Sequence, residues 1–129
     1  TRALVVDDID INLFITRQVL EGFDVHVTTA ASGGEAIELA AEGSCDIIFM
    51  DHMMPGMDGV DASRRIRQSA RRHSQTPIVM LTANAVVGAR DMFLSQGMDD
   101  YMAKPIEVED MAACLRKWLP TDKIIQPSA

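Results

Sequence analysis

Only two cysteines occur in the 129 residues, Cys45 and Cys114, and no short spacing links them. That excludes a thiolate metal pattern and a disulfide framework. Cys45 sits in an apolar run and Cys114 on the apolar face of a late helical segment, so reduced core residues of a cytosolic protein are expected. No apolar stretch approaches the roughly 20 residues of a membrane span, and no signal-peptide pattern opens the chain. Cations are outnumbered, 12 Lys and Arg against 19 Asp and Glu, for a net charge of −7. Nonspecific nucleic-acid binding is not expected of such a surface. There is no low-complexity segment, solenoid repeat or internal domain boundary. The chain opens on Thr1 rather than Met, so a fragment or processed product is expected. What remains is an ordinary globular composition, 47% hydrophobic and 24% charged, long enough for one core.

Four apolar runs carry the organisation: Ala3-Leu4-Val5-Val6, Cys45 to Met50, Pro77 to Leu81 and, more weakly, Met98 to Met102. Short apolar runs bounded by polar or turn residues read as buried strands. Asp24 to Thr28 alternates as a further strand, second in chain order. Between the strands lie segments of helical period, and such alternation implies a parallel sheet. Each strand of a parallel sheet delivers its last residue to the same edge, where ligands bind. Asp7-Asp8, Asp51, Thr82 and Lys104 all follow strands, so they should converge on one small site.

The first helix is expected from near Ile9 to Glu21, with Ile11, Phe14, Ile15 and Val19 as its core stripe. Ser32 is a plausible N-cap of the second, completed by Glu35 in a capping box, and Gly43 should end that helix. A loop containing Pro55, Gly56 and Gly59 leads to a third helix through Arg71. A fourth covers about residues 86–96. The fifth places Val108, Met111, Ala112, Leu115 and Leu119 on one stripe. The sequence thus predicts one domain over 1–119, with 120–129 a tail or linker.

The chemistry follows from charge. Asp7, Asp8 and Asp51 at one edge would repel one another, and Lys104 can neutralise only one of them. A hard divalent cation with oxygen ligands can neutralise the rest, and magnesium fits because it uses few carboxylates and leaves room for phosphate oxygens. A carboxylate in such a site can attack phosphorus and form an aspartyl phosphate. Lys104 would stabilise charge on the phosphoryl group, and the Thr82 hydroxyl would donate to it. Each residue also has a plain reading: Asp7 or Asp8 as an N-cap, Asp51 in a turn, Thr82 as a cap and Lys104 as a solvated loop lysine. Their joint occurrence after four strands argues against all of those readings at once.

The segments Leu4-Val5-Val6-Asp7-Asp8 with Asn12, Ala31 to Ala36, Asp51 to Gly59, Leu81 to Ala85 and Met98 to Pro105 together resemble the receiver domain of two-component response regulators. The resemblance covers about residues 2–119 and is greatest to receivers of hybrid sensor histidine kinases. It implies an α/β flavodoxin-like doubly wound sheet of five parallel strands ordered 2-1-3-4-5. It further implies Asp51 as phosphoacceptor, and Asp7, Asp8, Asp51 and the backbone carbonyl of Met53 as ligands of Mg2+, with Mn2+ as a substitute. Thr82 and Lys104 would contact the phosphoryl group. Tyr101 would couple to Thr82 across small Ala83, and Met53 and Asn84 would tune the lifetime of the phosphorylated state. The implied partner is a histidine kinase or histidine phosphotransfer domain, with no direct nucleic-acid or membrane contact. A monomeric domain in the cytoplasm is expected, one that promotes its own phosphorylation and dephosphorylation without being a separate turnover enzyme. Relay of phosphate and phosphorylation-dependent binding, as in a stand-alone or effector-linked regulator, both remain open. A cis Lys104–Pro105 peptide is also expected, since cis at an X-Pro bond costs only about 0.5–1 kcal/mol.

Other readings of the same residues fail. A haloacid-dehalogenase-type phosphatase needs a second Asp two residues after the nucleophile, where this chain has Met53. Asp8 to Asn12 imitates a calcium loop, but Leu13 and Val19 replace its Gly and Glu. A flavin module needs a phosphate cradle where Asp8 and Asp10 would repel phosphate. Arg64, Arg65, Arg67, Arg71 and Arg72 read first as a solvated helix face. Met53, Met54 and Met57 read first as gap fillers beside the site loop.

Overall fold

In the computed structural model, residues 2–42, 45–52, 54, 56–69, 76–82, 89–95, 98–104 and 106–119 are described. The apolar runs become β1 (Arg2–Val6), β3 (Ile47–Asp51), β4 (Ile78–Thr82) and β5 (Asp100–Ala103), with β2 at His26–Ala30. The helices are α1 (Asp10–Glu21), α2 (Gly33–Glu42), α3 (Gly59–Ser69), α4 (Ala89–Ser95) and α5 (Val108–Trp118). All neighbouring strands pair in parallel, in the order β2-β1-β3-β4-β5. This is the doubly wound order expected from the resemblance.

Consecutive residues of a strand point to opposite faces, and here both faces are covered. Leu4, Val6, Ile48, Met50, Ile78 and Met80 meet Ala36 and Ala40 of α2, Ala62 and Ile66 of α3, and Phe93 of α4. Ala3, Val5, Ile47, Phe49, Val79 and Leu81 meet Leu20 of α1 with Met111 and Leu115 of α5. A sheet buried on both sides needs continuous apolar runs rather than alternation, which is why β1, β3 and β4 were so legible. Each large side chain fully buried there contributes about 1.5–3 kcal/mol.

The core stripe expected for α1 is wrong in phase. Ile11, Phe14 and Ile15 are exposed, whereas Thr16 and Leu20 are buried and Leu13 and Val19 are partly covered. The helix carries two adjacent apolar stripes, and packing against α5 and the sheet selected the one containing the threonine. The start of β2 also moves, from Asp24 to His26. Asp24 has φ 61°, and that left-handed residue turns the chain between helix and strand. In α2 the expected cap is present: the Glu35 N–H donates to Ser32 Oγ at 3.2 Å. In α5, Met111, Leu115 and Leu119 are buried as expected, but Val108 is exposed. Gly43, Arg71, Arg72 and the tail over 120–129 lie outside the described residues.

Both cysteines are free. Burial pushes the Cys45 thiol up to about 11, with Asp46 adding to it. Burial likewise pushes Cys114 up to about 12. Thiols held protonated in this way are poor nucleophiles.

Candidate phosphoacceptor site

Asp7 follows the last residue of β1 and continues its ladder, its N–H donating to Ala30 O at 3.1 Å. It is therefore held over the end of β2, almost fully buried. One of its carboxylate oxygens accepts the Ile9 N–H at 3.0 Å, and the other accepts Lys104 Nζ at 3.1 Å. Asp51 is the last residue of β3 and also buried. Its Oδ1 accepts Lys104 Nζ at 2.7 Å. Lys104 follows β5 and is aimed at the site from its own backbone, whose N–H donates to Thr82 O at 2.9 Å. A single ammonium thus serves two carboxylates from two strands.

Asp8 supplies a third carboxylate, and it does not cap α1. The N-cap is Ile9, with no side-chain bond to the helix. Asp7, Asp8 and Asp51 each place an oxygen so that all of these lie within 4.8 Å of one another. Among the described residues, Asp8 Oδ1 is buried with no hydrogen-bond partner. A buried, unpartnered carboxylate oxygen is costly. Asp8 is close enough to Asp51 to raise its pKa. Three negative groups facing one positive group leave a deficit that a divalent cation would fill, and hard oxygen donors suit magnesium.

Burial is the main force on the Asp51 carboxyl, and it pushes the pKa up from 3.8 to about 6; Lys104 opposes this while Asp7 and Asp8 add to it. Burial disfavours the Lys104 charge, but hydrogen bonds to Asp51 and Asp7 overcome that and hold its pKa above the usual value. The sign of the Asp51 shift has a consequence for the metal-free protein. A carboxyl that binds its proton more tightly when folded favours the folded state below its ordinary 3.8, an advantage lost as pH rises through about 6. The melting temperature of the parent relative to Asp51→Asn should therefore fall as pH rises from about 4 to about 6.5, as the buried carboxyl ionises, and level off above that. Thermal scans without divalent ions check this; a difference independent of pH would contradict it.

Thr82 ends β4, buried and paired in register with Ala103, so its backbone adjoins that of Lys104. Tyr101 is half-buried on β5, in register with Met80. The structure thus brings Asp7, Asp8, Asp51 and Lys104 into one cluster and sets Thr82 beside it. Met53, Ala83, Asn84 and Pro105, with the expected cis Lys104–Pro105 bond, lie outside the described residues.

Gly59, which the sequence marks only as part of the loop after Asp51, is a positioning residue. Gly59 opens α3, and its N–H donates to His52 O at 3.1 Å, closing the loop after Asp51. A Cβ at this position would overlap the Asp51 carbonyl oxygen, leaving no room for any side chain. The Asp58-Gly59 pair before a helix was the available signal, but only the fold shows that the neighbour is the candidate phosphoacceptor. Gly59→Ala should cost about 1–3 kcal/mol of stability, as overpacking does. It should also slow phosphorylation more than an equally destabilising core change away from the site, measured with a small-molecule phosphodonor.

The model of the response regulator receiver domain matches residues 3–116, nearly the whole described chain. The chain belongs to that family. Among related proteins, this receiver is 39% identical over 117 residues to the signal transduction histidine-protein kinase BarA of Escherichia coli K12, covering 91% of this chain and 13% of BarA. It is 38% identical over 119 residues to the sensor protein GacS of Pseudomonas syringae, again 91% and 13%. Aerobic respiration control sensor protein ArcB of E. coli K12 is 36% identical over 118 residues, 92% and 15%. The receiver thus spans only 13–15% of the length of these curated relatives. Among solved structures, it superposes on the receiver domain of sensor histidine kinase PA1611 from Pseudomonas aeruginosa PAO1 with a TM-score of 0.82 and 35% identity. The superposition covers 91% of this chain and 95% of that one. The PA1611 domain holds a magnesium ion in its active-site cleft. Chemotaxis protein CheY4 of Vibrio cholerae gives a TM-score of 0.84 at 28% identity, covering 92% and 98%.

Proposed function

We propose that this receiver accepts a phosphoryl group from a partner's phosphohistidine onto Asp51, as a relay element of a hybrid sensor histidine kinase. The observation that carries the reading is the lysine bridge: Lys104 Nζ is bonded to Asp51 and Asp7 while Asp8 Oδ1 stands buried without a partner. An Asp51 carboxylate oxygen attacks phosphorus, the P–N bond breaks, and its electron pair returns to the departing imidazole. Lys104 is already in place to follow the charge as it moves onto the phosphoryl oxygens, and the Thr82 hydroxyl donates to them from the adjoining strand. Asp7, Asp8, Asp51 and the Met53 carbonyl would hold magnesium, or manganese in its place; when bound, it supplies positive charge to the transferring group. Met53 and Asn84 set how long the phosphoryl group survives, and Tyr101 responds to Thr82 beside Ala83. The identity to BarA, GacS and ArcB supports the hybrid-kinase setting, hence a domain at the cytoplasmic side of a membrane; the isolated domain is read as a monomer. No described helix is long and apolar enough to cross one. The acidic surface argues against nucleic acid as a partner.

A protein phosphodonor must cover the rim of the site to reach Asp51. The stripe of α1 that the core left out begins three residues after Asp8, with Ile11 and Phe14 more than half exposed, and its Ile15 lines a small pocket with Lys104. Apolar side chains exposed beside a reacting group suit a partner's helix face. Phe14→Asp should therefore slow transfer from a phosphohistidine protein about tenfold or more, since a charge facing an apolar anchor costs over 1.4 kcal/mol. Phosphorylation by a small-molecule donor should be unchanged. Equal losses with both donors would remove the docking role. The reading as a whole is tested by mixing the receiver with a phosphorylated histidine phosphotransfer domain in magnesium. Label should pass to the receiver, and failure with both protein and small-molecule donors would overturn it.

A further inference from the structure

His52, directly after Asp51, is fixed at both main-chain groups. Its N–H donates to Leu81 O at 2.9 Å, and its carbonyl accepts the Gly59 N–H at 3.1 Å. Its Cα is therefore held in fixed relation to the phosphoacceptor, and the ring is carried from there. That ring meets Phe93 of α4 edge to face, with centroids 4.9 Å apart and planes at 85°. Phe93 in turn lies 6.0 Å from Tyr101 of β5, tilted by 43°. Both separations lie in the range where aromatic pairs attract beyond simple burial. Phe93 is 1% exposed, while its neighbours Met92 and Leu94 face solvent. Among the α4 residues whose burial is described it is the one wedged into the core, and the Met98 N–H donates to its carbonyl at 3.0 Å on the way into β5.

We propose that Phe93 is a positioning residue that couples the phosphoacceptor loop to Tyr101 through the ring chain His52–Phe93–Tyr101. The inference rests on Asp51 being the phosphoacceptor, and it adds a route separate from the one through Thr82. A phosphoryl group on Asp51 adds bulk and charge at the residue that carries His52. A close-packed interior has no free volume to absorb the shift, so Phe93 moves with the loop or resists it. Either response changes the environment of the Tyr101 ring. By linkage the effect runs in both directions: if occupancy at Asp51 shifts the position of the Tyr101 ring, the position of that ring must bias occupancy at Asp51.

The test is a double-mutant cycle read as affinity for beryllofluoride, a phosphoryl analogue, in magnesium. Tyr101→Ala should change that affinity about fivefold or more in the parent and by a clearly smaller factor in a Phe93→Leu background, where only the route through Thr82 remains. Leu keeps the site apolar and filled but removes the ring edges, so a purely structural role would lower the melting temperature and leave the Tyr101 effect intact. The same fold-change in both backgrounds would overturn the proposal, as would no effect of Tyr101→Ala in the parent. Should Phe93→Leu fail to fold, His52→Leu breaks the chain at a partly exposed residue, with the same outcomes expected. A parent that binds no beryllofluoride at all would sink the phosphoacceptor reading, and this inference with it.

Discussion

Asp51→Asn should remain folded and incorporate no phosphate from either a phosphohistidine protein or a small-molecule donor. The substitution is close to isosteric, and the amide oxygen still accepts from Lys104, which lies 2.7 Å from Asp51 Oδ1. What is lost is the anionic nucleophile, because an amide does not attack phosphorus as a carboxylate does. The fold is not expected to suffer. Asp51 is 3% exposed among acids that repel it, so removing its charge relieves strain in the metal-free protein. Intact-mass measurement after incubation with donor and magnesium reads the result directly. Label below detection with an unchanged circular dichroism spectrum is the expected pair of results. Undiminished labelling would move the phosphoacceptor elsewhere.

Magnesium should stabilise the parent strongly, and Asp8→Ala should abolish most of that gain. A ligand that binds only the folded state at 100 times its Kd adds about 2.7 kcal/mol. For a domain of this size, that is a rise of roughly 10 °C in melting temperature. Asp8 is the residue whose loss should matter most to the metal and least to the empty site. Its Oδ1 is buried without a partner, whereas Asp7 is already bonded to Lys104 and the Ile9 N–H. Asp8→Ala should therefore melt at the same temperature as the metal-free parent or higher, and respond weakly to magnesium. Thermal scans across a magnesium titration check both halves. A parent indifferent to millimolar-range magnesium would argue against a metal site, and a variant that still gains the full rise would remove Asp8 from it.

The α1 helix shows where reading the residues in order stops working. Its periodicity marks a helix, but Ile11, Phe14 and Ile15 form as good a stripe as Leu13, Thr16 and Leu20. Hydrophobicity along one helix cannot say which stripe faces inward when both are apolar. That is decided by what lies beneath, here α5 and the sheet, and the choice left an exposed apolar face beside the site. Gly59 makes the same point about space: glycine before a helix has many uses, and only the approach of the Asp51 carbonyl shows which one applies.

By itself, the order of residues determined the strands β1, β3 and β4, the parallel sheet and the set Asp7, Asp8, Asp51, Thr82 and Lys104. Strands buried on both faces must be continuously apolar, and a parallel sheet must bring its carboxyl ends to one edge, so these features are local in sequence and global in consequence. Only the tertiary structure decided that one lysine bridges Asp7 and Asp51, that Asp8 is left without a partner, and that His52, Phe93 and Tyr101 touch. Most of those are relations between residues dozens of positions apart, set by side-chain packing at distances of a few ångströms, and no pattern along the chain encodes them.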